Sequence, residues 1–114
     1  MAIVRVMYWK EVPVQVQATA NGETATVPLD DRFQEGTDAL SMFDGSYGSD
    51  AYLDAWAWGD GREVPGSAAE AAARTAERYN AQFPRDFIAR IRRLHVDGTR
   101  SAQAGAQDHW LDAT

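Results

Sequence analysis

The chain reads as an α+β domain of two layers, a mainly antiparallel sheet of three or four strands with three helices packed on one face. Three observations predict this. The first thirty residues carry rows of apolar side chains at period two, as strands do. Asn21-Gly22 separates two such runs, and a type I′ hairpin turn needs positive φ at both central residues, which Asn-Gly meets at least cost. The second half instead repeats apolar residues at helical spacing behind recognisable start and stop signals. The order that results is β-β-β-α-β-α-α.

From Ile3 to Lys10 both alternating rows are mostly apolar, so a central strand covered on at least one face is expected. Val12, Val14 and Val16 then alternate with Pro13, Gln15 and Gln17, which gives a second strand with one wet face. Pro13 lacks a ladder donor and marks an edge, a bend or a break. Counting outward from Asn21-Gly22 pairs Val16 with Val27 and Val14 with Leu29, so the apolar rows share a face. Pro28 places the third strand near an edge. Asp31 with Gln34 resembles a capped helix start, Phe33, Thr37, Leu40 and Phe43 supply a helical stripe, and Gly45 is placed as the stop. After the loop SYGSD, residues 52–58 alternate. Tyr52, Asp54, Trp56 and Trp58 face one way and Leu53, Ala55 and Ala57 the other, as on a fourth strand.

Gly59-Asp60-Gly61 reads as a turn. Ser67 with Glu70 forms a capping box ahead of an Ala-rich helix that runs to about Gln82, with Ala72, Ala76, Tyr79 and Phe83 as its buried stripe. Pro84 ends that helix and can open the next, whose apolar face is Phe87, Ile88, Ile91 and Leu94 and whose stop is Gly98. Residues 1–98 are therefore expected to form a single α+β domain and residues 99–114 a C-terminal tail. Within the tail His109-Trp110-Leu111 stands out from Ala, Gly and Gln. A docked Trp removes roughly 200 Å² from water, which at about 25 cal/mol/Å² outweighs ordering a few residues. Trp110 and Leu111 are expected to dock on the domain or a neighbouring subunit, with Ser101 to Gln107 loosely held.

Composition bounds the chemistry. There is no Cys, which excludes disulfides, thiolate metal sites and thiol catalysis. The first ten residues, MAIVRVMYWK, lack an apolar stretch of signal-peptide length, so a cytoplasmic protein with no membrane association is expected. The net charge is −6. The acids concentrate in residues 1–60, whereas Arg74, Arg78, Arg85, Arg90, Arg92, Arg93 and Arg100 lie in the helical half. Interleaved acids and overall negative charge argue against a nucleic-acid footprint. Asp44, Asp50 and Asp54 match no calcium loop. Asp44 and Asp50 read as helix-end and turn residues; Asp54, placed mid-strand, belongs to a binding site or pairs with Arg5 or Arg62. His95 reads as a helix-end cation, and His95 with His109 lack metal-ligand spacing. No serine sits in G-x-S-x-G, and GSYGS follows a helix rather than opening one.

The densest signal is residues 42–58, MFDGSYGSDAYLDAWAW. Trp9, Trp56 and Trp58 form either an aromatic wall or part of the core. Together with VRVMYWKEVPVQV, RFQEGTDALSMFDGSYGSDAYLDAWAWG and DHWLD, this pattern resembles a family of small bacterial proteins called virulence factors, and is similar to a segment of conserved virulence factor C. There the segment is joined to a NifU-like scaffold and helical repeats, which implies a module within larger assemblies. The resemblance also implies a setting beside tetrahydrofolate and corrinoid methyl-transfer proteins, and carries no catalytic residue.

Two functions are expected from different classes. The first is a non-catalytic accessory or interaction module, with Trp9, Tyr52, Trp56 and Trp58 as an aromatic binding patch and Asp54 and Arg62 at its rim. Its partner would be a protein, for instance a methyl-transfer or folate enzyme, or a second copy of the chain. The second is a ligand-binding small subunit of one-carbon methyl transfer, a folate-type pterin stacking on Trp56 or Trp58 with Asp54 accepting from its amino-pyrimidine edge. No other cofactor and no metal is expected.

Overall fold

The computed structural model describes residues 1–112. Among these, β1 (Ala2–Trp9), β2 (Val12–Ala20) and β3 (Glu23–Pro28) form an antiparallel meander. Helix α1 (Asp31–Asp44), a short helix α2 (Asp50–Asp54), strands β4 (Trp56–Trp58) and β5 (Arg62–Val64), and helices α3 (Ala68–Gln82) and α4 (Phe87–Val96) follow. A 3-10 turn (Asp108–Asp112) ends the described chain. The sheet order is β3-β2-β1-β4, with β5 also paired to β1. The fold is α+β, with five strands.

The Asn21-Gly22 hairpin forms as the sequence requires. Asn21 and Gly22 have φ of 52° and 80°, and Val16 pairs with Val27. Leu29 N–H donates to the Val14 carbonyl at 2.9 Å, extending that register. Pro13 lies in the middle of the sheet, where Tyr8 pairs with Pro13 but Met7 with Gln15. Val14 is the extra residue of a bulge, which is how a central strand tolerates a proline. Pro28 sits on the edge strand β3, as expected.

Four features differ from the sequence reading. Residues 52–58 are not one strand: 50–54 are helical and only 56–58 pair with β1. Pairing stops at Trp9 opposite Trp56 because Lys10 turns away and donates its N–H to the Ala55 carbonyl at 3.0 Å. Without a partner strand, the Ala- and Leu-containing 50–54 takes its helical preference. β5, which follows the predicted Gly59-Asp60-Gly61 turn, has no counterpart in the sequence reading; at three residues it is too short to alternate visibly. At the start of α1 the cap position is Asp30, with no side-chain cap bond, so the Asp31/Gln34 cap does not form. Asn80 Oδ1 instead accepts from Asp30 N–H at 2.9 Å. Lastly, α4 begins at Phe87 rather than Pro84.

The core lies between the sheet and the helices. Val4, Val6, Tyr8, Val16 and Ala18 meet Ala71, Ala72, Ala76 and Tyr79 of α3, whose small side chains let that helix lie close to the sheet. Its capping box is complete, with Glu70 N–H on Ser67 Oγ at 3.1 Å and Ser67 N–H on Glu70 Oε1 at 3.2 Å. Phe33, Phe83 and Phe87 form a triangle with ring centres 5.5–5.6 Å apart, joining α1, the end of α3 and α4. Trp110 stands on Phe83 at 5.8 Å and Leu111 is buried. The expected tail is described to residue 112; its last two positions lie outside the described residues.

Candidate functional site

The predicted aromatic residues only partly converge. Trp9 is fully buried, its indole N–H donating to the Tyr52 carbonyl at 3.0 Å. Tyr52 is half-buried, with ring centres of Trp9, Trp56 and Tyr47 at 5.7, 6.2 and 6.3 Å. Trp56 is half-buried and Trp58, two residues on along the same face of β4, is exposed. Asp54 ends α2, exposed, and makes no ion pair with Arg5 or Arg62 among the described residues. Arg62 pairs in register with Val4, whose side chain is buried under the helices, whereas Trp58 pairs with Met7 on the other face. The aromatic row therefore has neither Asp54 on its strand nor Arg62 at its rim. Tyr47 and Leu53, absent from the predicted set, are among the most exposed large apolar residues and extend the corner.

Arg62 belongs instead to a cleft that the sequence reading missed. β4 and β5 are two pieces of one edge strand, interrupted at Gly59-Asp60-Gly61. Gly59 keeps one bond to the sheet, its N–H on the Val6 carbonyl at 2.8 Å. Between this break, α3 and the C-terminal segment opens a cleft of about 570 Å³ lined by Val4, Val6, Arg62, Arg74, Arg78 and Asp108, among others. Its base is a three-residue cluster. Tyr79 Oη donates to Asp108 Oδ2 at 2.8 Å, Tyr8 donates to the same oxygen, and the two phenol oxygens are 3.1 Å apart. Burial, then the Tyr79 phenol and Asp108, push the Tyr8 hydroxyl above its ordinary range, and burial, then Asp108, do the same to Tyr79 against the hydrogen bond from Tyr8, so both remain donors near neutral pH. Burial also raises Asp108, against the two phenol hydrogen bonds and the charges of Arg78 and Arg62. Its Oδ1 is buried without a hydrogen-bond partner among the described residues.

A second cluster sits at the β1–β2 turn. Lys10-Glu11 is a two-residue turn in which Lys10 holds φ of 50° and Glu11 is fully buried. Arg100 Nε donates to Glu11 Oε1 at 2.6 Å and its Nη1 to Asp44 Oδ2 at 3.0 Å. Lys10 Nζ reaches the same Asp44 oxygen at 2.7 Å. Burial would raise Asp44, but the bonds from Lys10 and Ser46 dominate and hold it down at about 2. With both acids matched by cations, this cluster ties the C-terminal segment to the β1–β2 turn. Among the described residues no group of three or more His, Asp or Glu has the arrangement of a metal site, and no helix is long and apolar enough to cross a membrane.

Compared with known proteins, residues 7–93 match the family model described as Virulence factor. The chain belongs to the virulence-factor family. No curated protein and no solved structure matches it. The virulence-factor match contains Tyr8, Arg62, Arg74, Arg78 and Tyr79 of the cleft, and Lys10, Glu11 and Asp44 of the second cluster. Asp108 and Arg100, which complete the two sites, follow the matched stretch.

Proposed function

We propose that this virulence-factor family member is a non-catalytic accessory protein that docks a partner protein at the corner built by α2 and β4. The observation that carries this is Trp58, Leu53 and Tyr47 all exposed around the Tyr52–Trp56 pair, with Asp50 and Asp54 beside them. Large aromatic residues gathered on one surface are what interface hot spots use. The acids call for a basic partner segment, whose Arg or Lys side chains can stack on Trp58 or Tyr47 and pair with the carboxylates. A methyl-transfer or folate enzyme of the same cell is the partner class we propose. The test is affinity purification from the native host, followed by titration of the purified partner against wild type and the Leu53→Ser, Trp58→Ser double variant. Binding that drops about a hundredfold fits hot-spot residues; unchanged binding sinks the proposal.

The second reading, a ligand-binding subunit of tetrahydrofolate and corrinoid methyl transfer, is supported by the cleft rather than by Asp54, which ends α2 instead of lying on β4. Calorimetric titration with tetrahydrofolate tests it. Heat that is lost in Arg62→Gln would favour this reading, and absence of heat would remove it.

A further inference from the structure

We propose that the cleft beneath the broken edge strand binds a small organic anion, with its oxyanion head, a carboxylate or a phosphate monoester, at the arginine wall and a donor-bearing body reaching the Tyr8–Tyr79–Asp108 base. This assignment is independent of partner docking at the aromatic corner.

The charge of the wall is the first ground. In a chain of net charge −6, the cleft brings Arg62 and Arg74 together with Asp60 and Asp108, beside Arg78, which is already engaged. Arg74 and Arg78 lie one turn apart on α3, so both present to the same side. Arg62 arrives from β5, opposite Val4. It makes no ion pair or hydrogen bond among the described residues. Arg74 is held by a bond from its Nη2 to the neutral Pro65 carbonyl, with Glu70 as the acid nearest to it on α3. Gly66, with φ of 107°, leaves it room: a Cβ there would lie 2.8 Å from Arg74 Nη2. A pre-positioned guanidinium and a second one across the gap suit an oxyanion, which takes paired N–H donors.

Shape and polarity of the rest give the second ground. Val4, Val6 and Val64 make an apolar floor for a ligand body, and about 570 Å³ is within the range of small-molecule sites. At the base both phenol hydrogens point at Asp108 Oδ2, so what the base offers a ligand is acceptor lone pairs on the phenol oxygens. Asp108 Oδ1, buried and without a partner among the described residues, is a further acceptor at the base. The site is thus bipolar, cationic at the rim and accepting at the base.

The backbone N–H groups of Gly59, Asp60 and Gly105 flank the cleft and serve as local NMR reporters. Full-length protein would be titrated at millimolar concentrations with benzoate, phenyl phosphate, 4-aminobenzoate and aniline. Saturating shifts of these three amides by at least one anion, no response to aniline, and tighter binding of 4-aminobenzoate than of benzoate are expected. Preference between benzoate and phenyl phosphate identifies the head. In the Arg62→Gln, Arg74→Gln double variant, with amide dispersion retained, affinity should fall about tenfold or more, the scale of losing charge-assisted hydrogen bonds. Trp58→Ser should bind as wild type. Absence of shifts with every anion, equal binding by the double variant, or an equal response to aniline would overturn the assignment.

Discussion

At Gly59 a Cβ would lie 2.8 Å from Tyr8 Cε1, and at Gly36 it would lie 2.4 Å from Phe87 Cζ. Neither ring is free to retreat, since both are buried. Gly36→Ala should therefore lower stability by about 1–3 kcal/mol despite alanine's better helix propensity, read as a lower denaturation midpoint. Gly59→Ala should do the same and also displace the Tyr8 hydroxyl from Asp108. These two glycines were silent in the sequence, because their need comes from a ring contributed by another element. Gly22 and Gly45, whose need is a local positive φ of 80° and 83°, were legible. A second prediction concerns Asp44. Its folded value of about 2 lies below the ordinary 3.8, so its ionised form stabilises the fold above pH 4. That contribution disappears as pH falls towards 2. Asp44→Asn should flatten the acid limb of the stability–pH curve; an unchanged limb would show that another carboxylate governs it.

Among the elements, those specified by their own residues were readable. Ser67 and Glu70 announce α3 and form both capping bonds. Ser67→Ala should cost about 1 kcal/mol, measurable by urea denaturation, with Glu70→Ala costing less. The Asn21-Gly22 register also followed from counting residues. Residues 52–58 were misread because alternation over seven residues fits either a strand or a short helix and strand. The choice was made by the end of β1, which offers no partner beyond Trp9. β5 was invisible for a related reason, since three residues pair only because Ala2 to Val4 wait opposite them.

On the scale of the molecule, the two polar clusters join residues far apart in the chain. Tyr8 and Asp108 are 100 positions apart, and Arg100 and Glu11 are 89. No local pattern reports such pairs, so neither cluster appeared in the sequence reading, although Arg62 was singled out for a different surface. Both clusters rest on the segment after α4. Arg100→Met would strand Glu11, wholly buried, without its cation. A loss of about 3–5 kcal/mol is expected, and Glu11→Gln added to it should recover part of that loss in a double-mutant cycle. Asp108 acts with the opposite sign to Asp44. Its value is raised in the fold, so the fold loses stability as pH rises from the unfolded value through the folded one. Asp108→Asn should gain relative to wild type across that window, as seen in melting temperatures measured from pH 4 upward.

The interrupted edge has a bearing on how copies of the chain meet. A sheet recruits foreign strands through uninterrupted rows of unpaired N–H and C=O groups. Here the β4–β5 side offers three ladder positions, a glycine-flanked gap carrying the Asp60 charge, and three more. The opposite side, β3, carries Pro28 and Glu23. Neither margin is a good template, so the irregularity that hollows out the cleft also guards against polymerisation. Removing the charge from the gap with Asp60→Val should, during refolding, produce light scattering that the natural sequence does not.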